Sequence, residues 1–229
     1  VVDENTELKK QLESLKLPNP LETYITAGNM VRDDLVRKVI QQLKANDVDA
    51  KSVQRGVVTI SGKGLFASGQ SDLQSVPGAV EKVNAIATVL ATQAHCFTTS
   101  ESEPKRNKGC NPDAVFIEAL FIEGHTDNIP VSAMLADGSK SNLELSSRRA
   151  TKTYQQAVAF RPDLTSFRNP SNQQALSVAA YGEQRPISSN AKAQGREDNR
   201  RIDIRFVMHV PKSQSDLREL QQTYAVVAE

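Results

Sequence analysis

A histidine and two carboxylates stand at the end of one apolar segment. The run Ala114 to Ile122 is apolar at all but one position and leads directly into Glu123-Gly-His-Thr-Asp127. Because side chains alternate along a strand, Glu123, His125 and Asp127 are expected to point to one side. Three uses fit this cluster: a metal site, a general acid and base pair, or a carboxylate that receives a cationic ligand.

A metal ion at this cluster would need ligands from elsewhere in the chain. The sequence has three histidines, and the other two, His95 and His209, lie in unrelated segments. Spacing alone is weak evidence for a metal site when the remaining ligands are not indicated. We therefore expect neither a metal nor another cofactor. The acid and base pair, which would indicate a hydrolase, stays open.

A second group of polar residues opens a predicted helix. The segment Ser141-Asn-Leu-Glu-Leu-Ser-Ser-Arg-Arg-Ala150 offers Asn142 as a helix N-cap and places Arg149 two turns further along. A guanidinium held in this way is suited to bidentate contact with a carboxylate. Alternatively, Arg148 and Arg149 belong to a solvated helix surface, with Glu144 pairing to Arg148. Composition alone favours the solvated surface.

Four motifs in a fixed order resemble the OmpA-like C-terminal domain. They are Gly124-His-Thr-Asp-Asn-Ile-Pro130, Asn142-x-x-Leu145-Ser146-x-x-Arg149-Ala150, Tyr181-Gly-Glu-x-Arg-Pro186 and Gly195-Arg-x-x-Asn-Arg-Arg-Ile202. An earlier loop, Phe66-Ala-Ser-Gly69 followed by Leu73, is also similar to that family. The resemblance therefore runs from about Val57 to Met208.

Within this family, the sequence of the motifs is most similar to the MotB branch, which comprises the cell-wall anchors of flagellar stators. The segments that carry this finer resemblance are Asn128-Ile-Pro130 and Asn142-Leu-Glu-Leu-Ser146. The resemblance implies a protein that binds peptidoglycan without catalysis and anchors a membrane complex to the cell wall.

The resemblance also implies which residues hold the ligand. Peptidoglycan stems often carry diaminopimelate, whose side chain ends in both an ammonium and a carboxylate. By resemblance, Asp127 takes the ammonium and Arg149 takes the carboxylate. Thr126, Asn142 and Leu145 are expected to shape the pocket around them.

Four further residues of the motifs are expected at the rim of the pocket or in support of the fold. Phe66 comes from the early loop, and Asn199, Arg200 and Arg201 come from the last motif. Contact with the ligand and support of the fold both stay open for these residues.

The sequence departs from the family at two places near these motifs. One is a longer insert, Val131 to Lys140, between the loop of Thr126 and Asp127 (the Thr-Asp loop) and the helix that begins near Asn142. The other is Thr153, at a position where the family usually has an aliphatic residue. The insert is expected to reshape the rim of the pocket. Alternatives to a flagellar anchor are an outer-membrane lipoprotein or porin-type wall tether, a peptidoglycan hydrolase and an anchor of Zorya-type phage defence.

The two cysteines flank one polar loop. Cys96 and Cys110 enclose the stretch Phe97 to Gly109. The spacing fits neither CxxC redox chemistry nor a zinc site, so it favours a disulfide in an oxidising compartment. The alternative is two unrelated buried thiols.

The pattern of apolar residues predicts the elements that position these motifs. Strands are expected at Gly56–Ile60, Ala114–Glu123, Ala175–Tyr181 and Arg201–Val210, and helices at Met30–Leu43, Pro77–Ala91 and Asn142–Phe160. Strands that alternate with helices indicate an α/β fold, here a two-layer βαβαβ-type sandwich of the OmpA-like kind with an N-terminal helical arm.

Four segments are predicted along the chain. Residues 1–20 form a helical stalk or linker with Leu8, Leu12 and Leu15 on one stripe, and residues 21–52 form a helix that packs on the domain or gates it. Residues 53–210 form the peptidoglycan-binding domain. Residues 211–229 form a C-terminal tail that the pattern does not place.

The net charge and the hydropathy of the sequence limit the kinds of partner that the chain could bind. The formal net charge is +1, which gives no overall field for nucleic acid. No stretch approaches the roughly 18 apolar residues of a membrane helix. Since the sequence starts without Met or a signal peptide, we expect a periplasmic fragment tethered to a membrane, the inner one by preference, through a preceding segment. The expected partners are peptidoglycan, a membrane-embedded subunit of a motor-like complex and a second copy of the chain.

Overall fold

The computed structural model describes residues 4–10, 19–100 and 109–224. Its strands are β1 (Ala50–Lys51), β2 (Val57–Ser61), β3 (Ile117–His125), β4 (Leu176–Gly182) and β5 (Arg201–Met208). Its α-helices beyond residue 18 are α1 (Pro20–Ala45), α2 (Ala79–Ala94), α3 (Asn142–Phe160), α4 (Ala193–Asn199) and α5 (Gln214–Tyr224). The strands form one five-stranded sheet in the order β1-β2-β5-β3-β4.

The sheet is mixed, and the connection between its two parallel strands contains α3, the helix that includes Asn142 and Arg149. Strands β3 and β4 run parallel, joined by a crossover through α3, while the other neighbouring strands are antiparallel. The mixed α/β architecture predicted from the sequence is thereby confirmed. Strand β1 was not predicted, because two residues are too short to show a period, and it lies within the segment 21–52 assigned to the N-terminal helix.

Helices α1, α2 and α3 cover one face of the sheet. Apolar side chains fill the layer between them, and burial of each larger aliphatic side chain contributes roughly 1.5–3 kcal/mol. The layer includes Leu35, Val39, Leu43, Val83, Ile86, Leu90, Ala150, Ala157, Val58, Ile60, Leu120, Ile122, Ile202 and Ile204. Because strand residues alternate, their neighbours Thr59, Glu123 and Asp203 lie on the opposite face.

Helix α1 begins ten residues before the expected position Met30. Its first residue is Pro20, and the side chain of Asn19 accepts a hydrogen bond from the backbone N–H of Leu21 at 3.0 Å. Proline suits the first helical position, because its missing N–H has no partner there in any case. Pro20, which the sequence assigned to the end of the stalk 1–20, is therefore the first residue of α1.

Helix α3 has the predicted bounds but a different cap. Ser141, not Asn142, is the N-cap, since its side-chain oxygen accepts a hydrogen bond from the backbone N–H of Glu144 at 3.2 Å. Asn142 is instead the first helical residue. Two good capping residues at adjacent positions cannot be separated by the sequence pattern.

The C-terminal helix α5 packs on the beginning of α1. Leu217 and Leu220 form a second apolar cluster with Tyr24 and Phe116, and the Tyr24 hydroxyl donates a hydrogen bond to the Ala114 carbonyl at 3.1 Å. Burial raises the pKa of Tyr24 to about 12. Residues 214–224, part of the predicted tail, are therefore packed on the domain.

The predicted disulfide is present between Cys96 and Cys110, with a Cα–Cα distance of 5.8 Å. Residues 4–10 are helical and exposed, and Leu8 is 58% exposed. The other two leucines of the expected stripe, Leu12 and Leu15, lie outside the described residues. Within the described residues, no helix combines the length and the apolar character needed to cross a membrane.

Candidate functional site

A pocket of about 300 Å³ lies where β3 ends and β5 begins. The five residues predicted to hold the ligand all line it, together with one of the predicted rim residues: Thr126, Asp127, Asn142, Leu145, Arg149 and Arg200. The remaining wall comes from Ser68 and Gly69 on one side and from residues 129–135 on the other. The structure thus brings three separate sequence motifs to one cavity.

Asp127 lies in a turn directly after β3. Its Oδ1 accepts a hydrogen bond from the backbone N–H of Ile129 at 2.9 Å, and its Oδ2 is paired with a guanidinium nitrogen of Arg200. The residue is 7% exposed. Its partner in this structure is therefore Arg200 rather than Arg149.

Arg149 lies two turns into α3 and is 4% exposed. Its Nε donates to the Gln70 carbonyl at 2.8 Å, and its Nη2 donates to the Ala67 carbonyl at 3.1 Å. The guanidinium carbon lies 5.4 Å from the ring centre of Phe66. Burial first, and the charge of Arg200 second, lower the pKa of Arg149 to about 10, so the side chain is cationic at neutral pH.

Close backbone packing sets α3 against the ends of two strands. A Cβ at Gly124 would lie 2.0 Å from the carbonyl oxygen of Ser146, so only glycine fits there. The Ser146 hydroxyl accepts a hydrogen bond from the backbone N–H of Gly182 at 3.0 Å. These contacts place Leu145 and Arg149 directly beside the Thr-Asp loop.

Two polar side chains complete the floor of the pocket. The Asn142 side-chain amide donates to the Ile129 carbonyl at 3.0 Å, which ties the start of α3 to the Thr-Asp loop. The Thr126 hydroxyl is buried and has no hydrogen-bond partner among the described residues. An unpaired buried hydroxyl costs free energy, so the Thr126 hydroxyl is a strained feature of this wall of the pocket.

The first half of the insert 131–140 lines the pocket, and its second half is bonded to the segment that follows Gly69. Asp137 Oδ2 accepts a hydrogen bond from the Ser71 hydroxyl at 2.5 Å, and Oδ1 accepts one from the backbone N–H of Ser139 at 2.9 Å. Burial acts to raise the pKa of Asp137, but these bonds and the charge of Arg148 together hold it below its ordinary value. Residues 131–135 of the insert line the pocket, and a change in the shape of the rim relative to the family stays a prediction.

Asn199 and Arg201 support the fold instead of lining the pocket. The fully buried Asn199 accepts hydrogen bonds from the backbone N–H groups of Ile187 and Ser188 at 2.8 and 3.1 Å. Arg201 bonds Asp203 at 2.9 Å and the Arg185 carbonyl at 3.0 Å. Of the last motif, Arg200 is the residue that reaches the pocket.

Phe66 lies behind the pocket, in an adjoining hollow of about 240 Å³. Arg149 and Arg200 line this hollow as well as the main pocket, and so does Ser68. The two spaces therefore adjoin at Ser68 and the two arginines.

Glu123 and His125 belong to a different group from Asp127, so the expectation that the three share one side is wrong. Strand β3 ends at His125, with a register shift after Gly124, and Asp127 lies in the turn beyond it. On the sheet face opposite the helices, Glu123 and His125 instead meet Asp203 of β5, and these three side chains are each 1% exposed.

Arginines hold the carboxylates of this buried group. Arg205 donates to both oxygens of Glu123 at 2.8 and 2.9 Å, and Arg201 donates to Asp203. His125 Nε2 lies 3.2 Å from Oδ2 of Asp203, but the angle between the two groups does not meet the geometry of a hydrogen bond. Burial acts to raise the pKa of Asp203, but His125 and Arg201 hold it below its ordinary value. The two guanidiniums already supply the positive charge that a metal ion would bring.

Asp203 was missed in the sequence because it meets β3 only through strand pairing. The run Arg201-Ile-Asp-Ile-Arg205 alternates charged and apolar residues. That alternation could have indicated a strand with one charged face. It could not have identified Glu123 and His125 as the neighbours.

Part of this chain is similar in sequence to a known protein. No family model matches the chain. Motility protein B of Bacillus subtilis (strain 168) is 33% identical over 85 residues, which are 37% of this chain and 28% of that protein. The match therefore spans little more than a quarter of that relative.

Two solved structures have the same fold. The cell wall anchor of the T6SS from Pseudomonas aeruginosa is 25% identical with a TM-score of 0.51, and the match covers 78% of this chain and 99% of that one. A MotB-like protein from Desulfovibrio vulgaris is 19% identical with a TM-score of 0.53, and the match covers 86% of this chain and 99% of that one. The fold and these comparisons agree with the resemblance that the motifs carry, which is to a MotB-like domain of the OmpA type.

Proposed function

We propose that this chain binds peptidoglycan without catalysis and anchors a membrane complex to the bacterial cell wall. The observation that carries the proposal is the pocket at the end of β3, where Asp127 and Arg149 present opposite charges beside Thr126, Asn142 and Leu145. The similarity to Motility protein B and to a cell wall anchor supports it.

The ligand in this proposal is the peptide stem with diaminopimelate. Its ammonium needs a carboxylate and its carboxylate needs a cation, and the pocket holds Asp127 and Arg149 at one cavity. The buried Thr126 hydroxyl adds an unused hydrogen-bonding group. The apolar side chain of Leu145 offers a surface for the methylene groups of the ligand.

The closed state of the second carboxylate cluster supports a binding role over hydrolysis. A general acid or base must reach its substrate. Both oxygens of Glu123 are held by Arg205, and Tyr181 stacks on His125 with ring centres 5.3 Å apart. Incubation with purified sacculi is expected to release no soluble muropeptides, as measured by chromatography.

Co-sedimentation with purified sacculi tests the binding site. We expect the double variant Asp127→Ala and Arg149→Ala to remain in the supernatant while the wild type sediments. The matched control is Lys152→Ala with Glu183→Ala, which removes one charge of each sign from exposed positions. Undiminished sedimentation of the Asp127 and Arg149 variant would refute the site.

We further propose a periplasmic location, a tether to the inner membrane, a membrane-embedded partner subunit of a motor-like complex and a homodimer. The disulfide between Cys96 and Cys110 supports an oxidising compartment. Light scattering coupled to gel filtration would test the dimer through its mass, and a mass of one chain at micromolar concentration would contradict it.

A further inference from the structure

The pocket carries more positive than negative charge. Asp127 contributes one carboxylate, Arg149 and Arg200 contribute two guanidiniums, and the other lining residues are uncharged. One negative and two positive formal charges leave an excess of one positive charge. The end of a diaminopimelate side chain is a zwitterion of net charge zero, so it does not neutralise this excess.

The two arginines differ in what they bind. Arg149 is almost fully buried and donates to two backbone carbonyls, with no bond to a carboxylate among the described residues. Arg200 has a side chain that is 33% exposed, and it is paired with Asp127. A ligand ammonium can therefore bind Oδ2 of Asp127 only by displacing Arg200 or by sharing that oxygen with it.

The backbone of Arg200 is fixed while its side chain has room. Its carbonyl accepts a hydrogen bond from the Gly62 N–H at 2.9 Å, and its N–H donates to the Arg196 carbonyl at 3.1 Å. The side chain lines both the main pocket and the adjoining hollow. In that hollow, Lys63 and Glu197 pair with each other at 3.4 Å and leave the charge excess unchanged.

We infer that Arg200 is the sensor of a second carboxylate on the ligand. When the ligand ammonium takes its place on Asp127, the Arg200 guanidinium turns to a second free carboxylate of the same peptide stem, and the pocket becomes neutral. The inference rests on the proposed function and names the substrate class: stems that carry two free carboxylates near the diamino acid. Charge-assisted guanidinium–carboxylate bonds of this kind are strong enough to discriminate between an acid and its amide.

Two groups of a stem could supply that second carboxylate. One is the α-carboxylate of the γ-linked D-glutamate before the diamino acid, and the other is the carboxylate at the end of the stem. Both are free carboxylates, and Arg200 would bind either of them. Amidation of one carboxylate removes its negative charge and leaves the other carboxylate unchanged.

Calorimetric titration of the whole chain with synthetic L-alanyl-γ-D-glutamyl-diaminopimelate tests the inference. The comparison peptides are amidated at the glutamate α-carboxyl or at the terminal carboxyl. We expect one amide to weaken binding to the wild type by about tenfold, and we expect Arg200→Gln to bind that acid and its amide equally. Arg149→Gln should weaken binding of every peptide yet keep the ratio between acid and amide, and Lys152→Gln should behave as the wild type.

The outcomes separate this inference from the proposed function. If Arg200→Gln keeps the wild-type ratio between acid and amide, or if the wild type binds acid and both amides equally, Arg200 does not read a second carboxylate. If the wild type binds neither the tripeptide nor sacculi, the proposed function itself is wrong.

Discussion

The backbone of Gly124 touches the backbone of Ser146, and this contact decides how closely α3 approaches the strand that carries the Thr-Asp loop. We expect Gly124→Ala to lower the free energy of unfolding by about 3 kcal/mol, because the added Cβ meets a carbonyl oxygen that cannot yield. Urea unfolding followed by circular dichroism measures the change. Gly28→Ala is the control, since its Cβ would have ordinary contacts at 3.8 Å, and it should remain within about 1 kcal/mol of the wild type.

Ligand binding should weaken at high pH through Arg149. Its pKa lies at about 10, below the ordinary value of 12.5. As pH rises through 10, the guanidinium loses its charge and with it the attraction for a carboxylate, whereas the fold is relieved of a buried charge. Sacculus binding between pH 8 and 11 measures the effect. Arg149→Gln should keep only the part of the loss that comes from deprotonation of the ligand ammonium, and a loss of the same size as in the wild type would assign the whole effect to groups other than Arg149.

The bond between Asp137 and Ser71 should stabilise the insert only while Asp137 is ionised. Because the pKa of Asp137 is held below its ordinary value, the contribution is present above that ordinary value and is lost as pH falls through the lowered one. We expect Asp137→Asn to cost about 1 kcal/mol at pH 7 and less near pH 3, as measured by thermal unfolding. A cost that does not change with pH would show that the charge is not involved.

Glu123 should matter for the stability of the fold. Replacing it by Gln leaves the partly exposed Arg205 guanidinium without its ion-pair partner, and we expect the free energy of unfolding in urea to fall by about 2 kcal/mol. The double variant Glu123→Leu with Arg205→Met should recover part of that loss, because no charge is left unpaired. If the double variant were less stable than the sum of its single changes predicts, the ion pair would not be the cause.

The disulfide should stabilise the fold by restricting the unfolded chain. Cys96 and Cys110 are separated by 14 positions, and closing a loop of that size is worth about 3 kcal/mol. Thermal unfolding with and without a reducing agent measures the difference. The variant with both cysteines changed to serine should not respond to the reducing agent.

The residues of the pocket could be predicted from the sequence because their spacing is local. Thr126 and Asp127 follow directly after an apolar strand, and Asn142, Leu145 and Arg149 recur at i, i+3 and i+7 on one helix face. The motif order then indicated that the two groups meet, and the structure places both at one cavity. Their contact with a ligand stays a prediction.

The partners of these residues could not be predicted, because they depend on strand pairing between distant segments. Arg200 reaches Asp127 only since β5 lies beside β3, and Asp203 meets Glu123 for the same reason. Whether Ser141 or Asn142 caps the helix depends on the local path of the backbone, and residue type alone does not determine that path.

The packing of Tyr24 against Ala114 has a mechanical consequence. Tyr24 lies near the start of α1 and bonds the chain just before β3, while Asp127 lies just beyond the other end of that strand. A nine-residue strand spans about 30 Å. A pull between a ligand held at Asp127 and the start of α1 therefore runs along β3. It loads the rows of hydrogen bonds to β4 and β5 in shear, all at once, instead of opening them one after another.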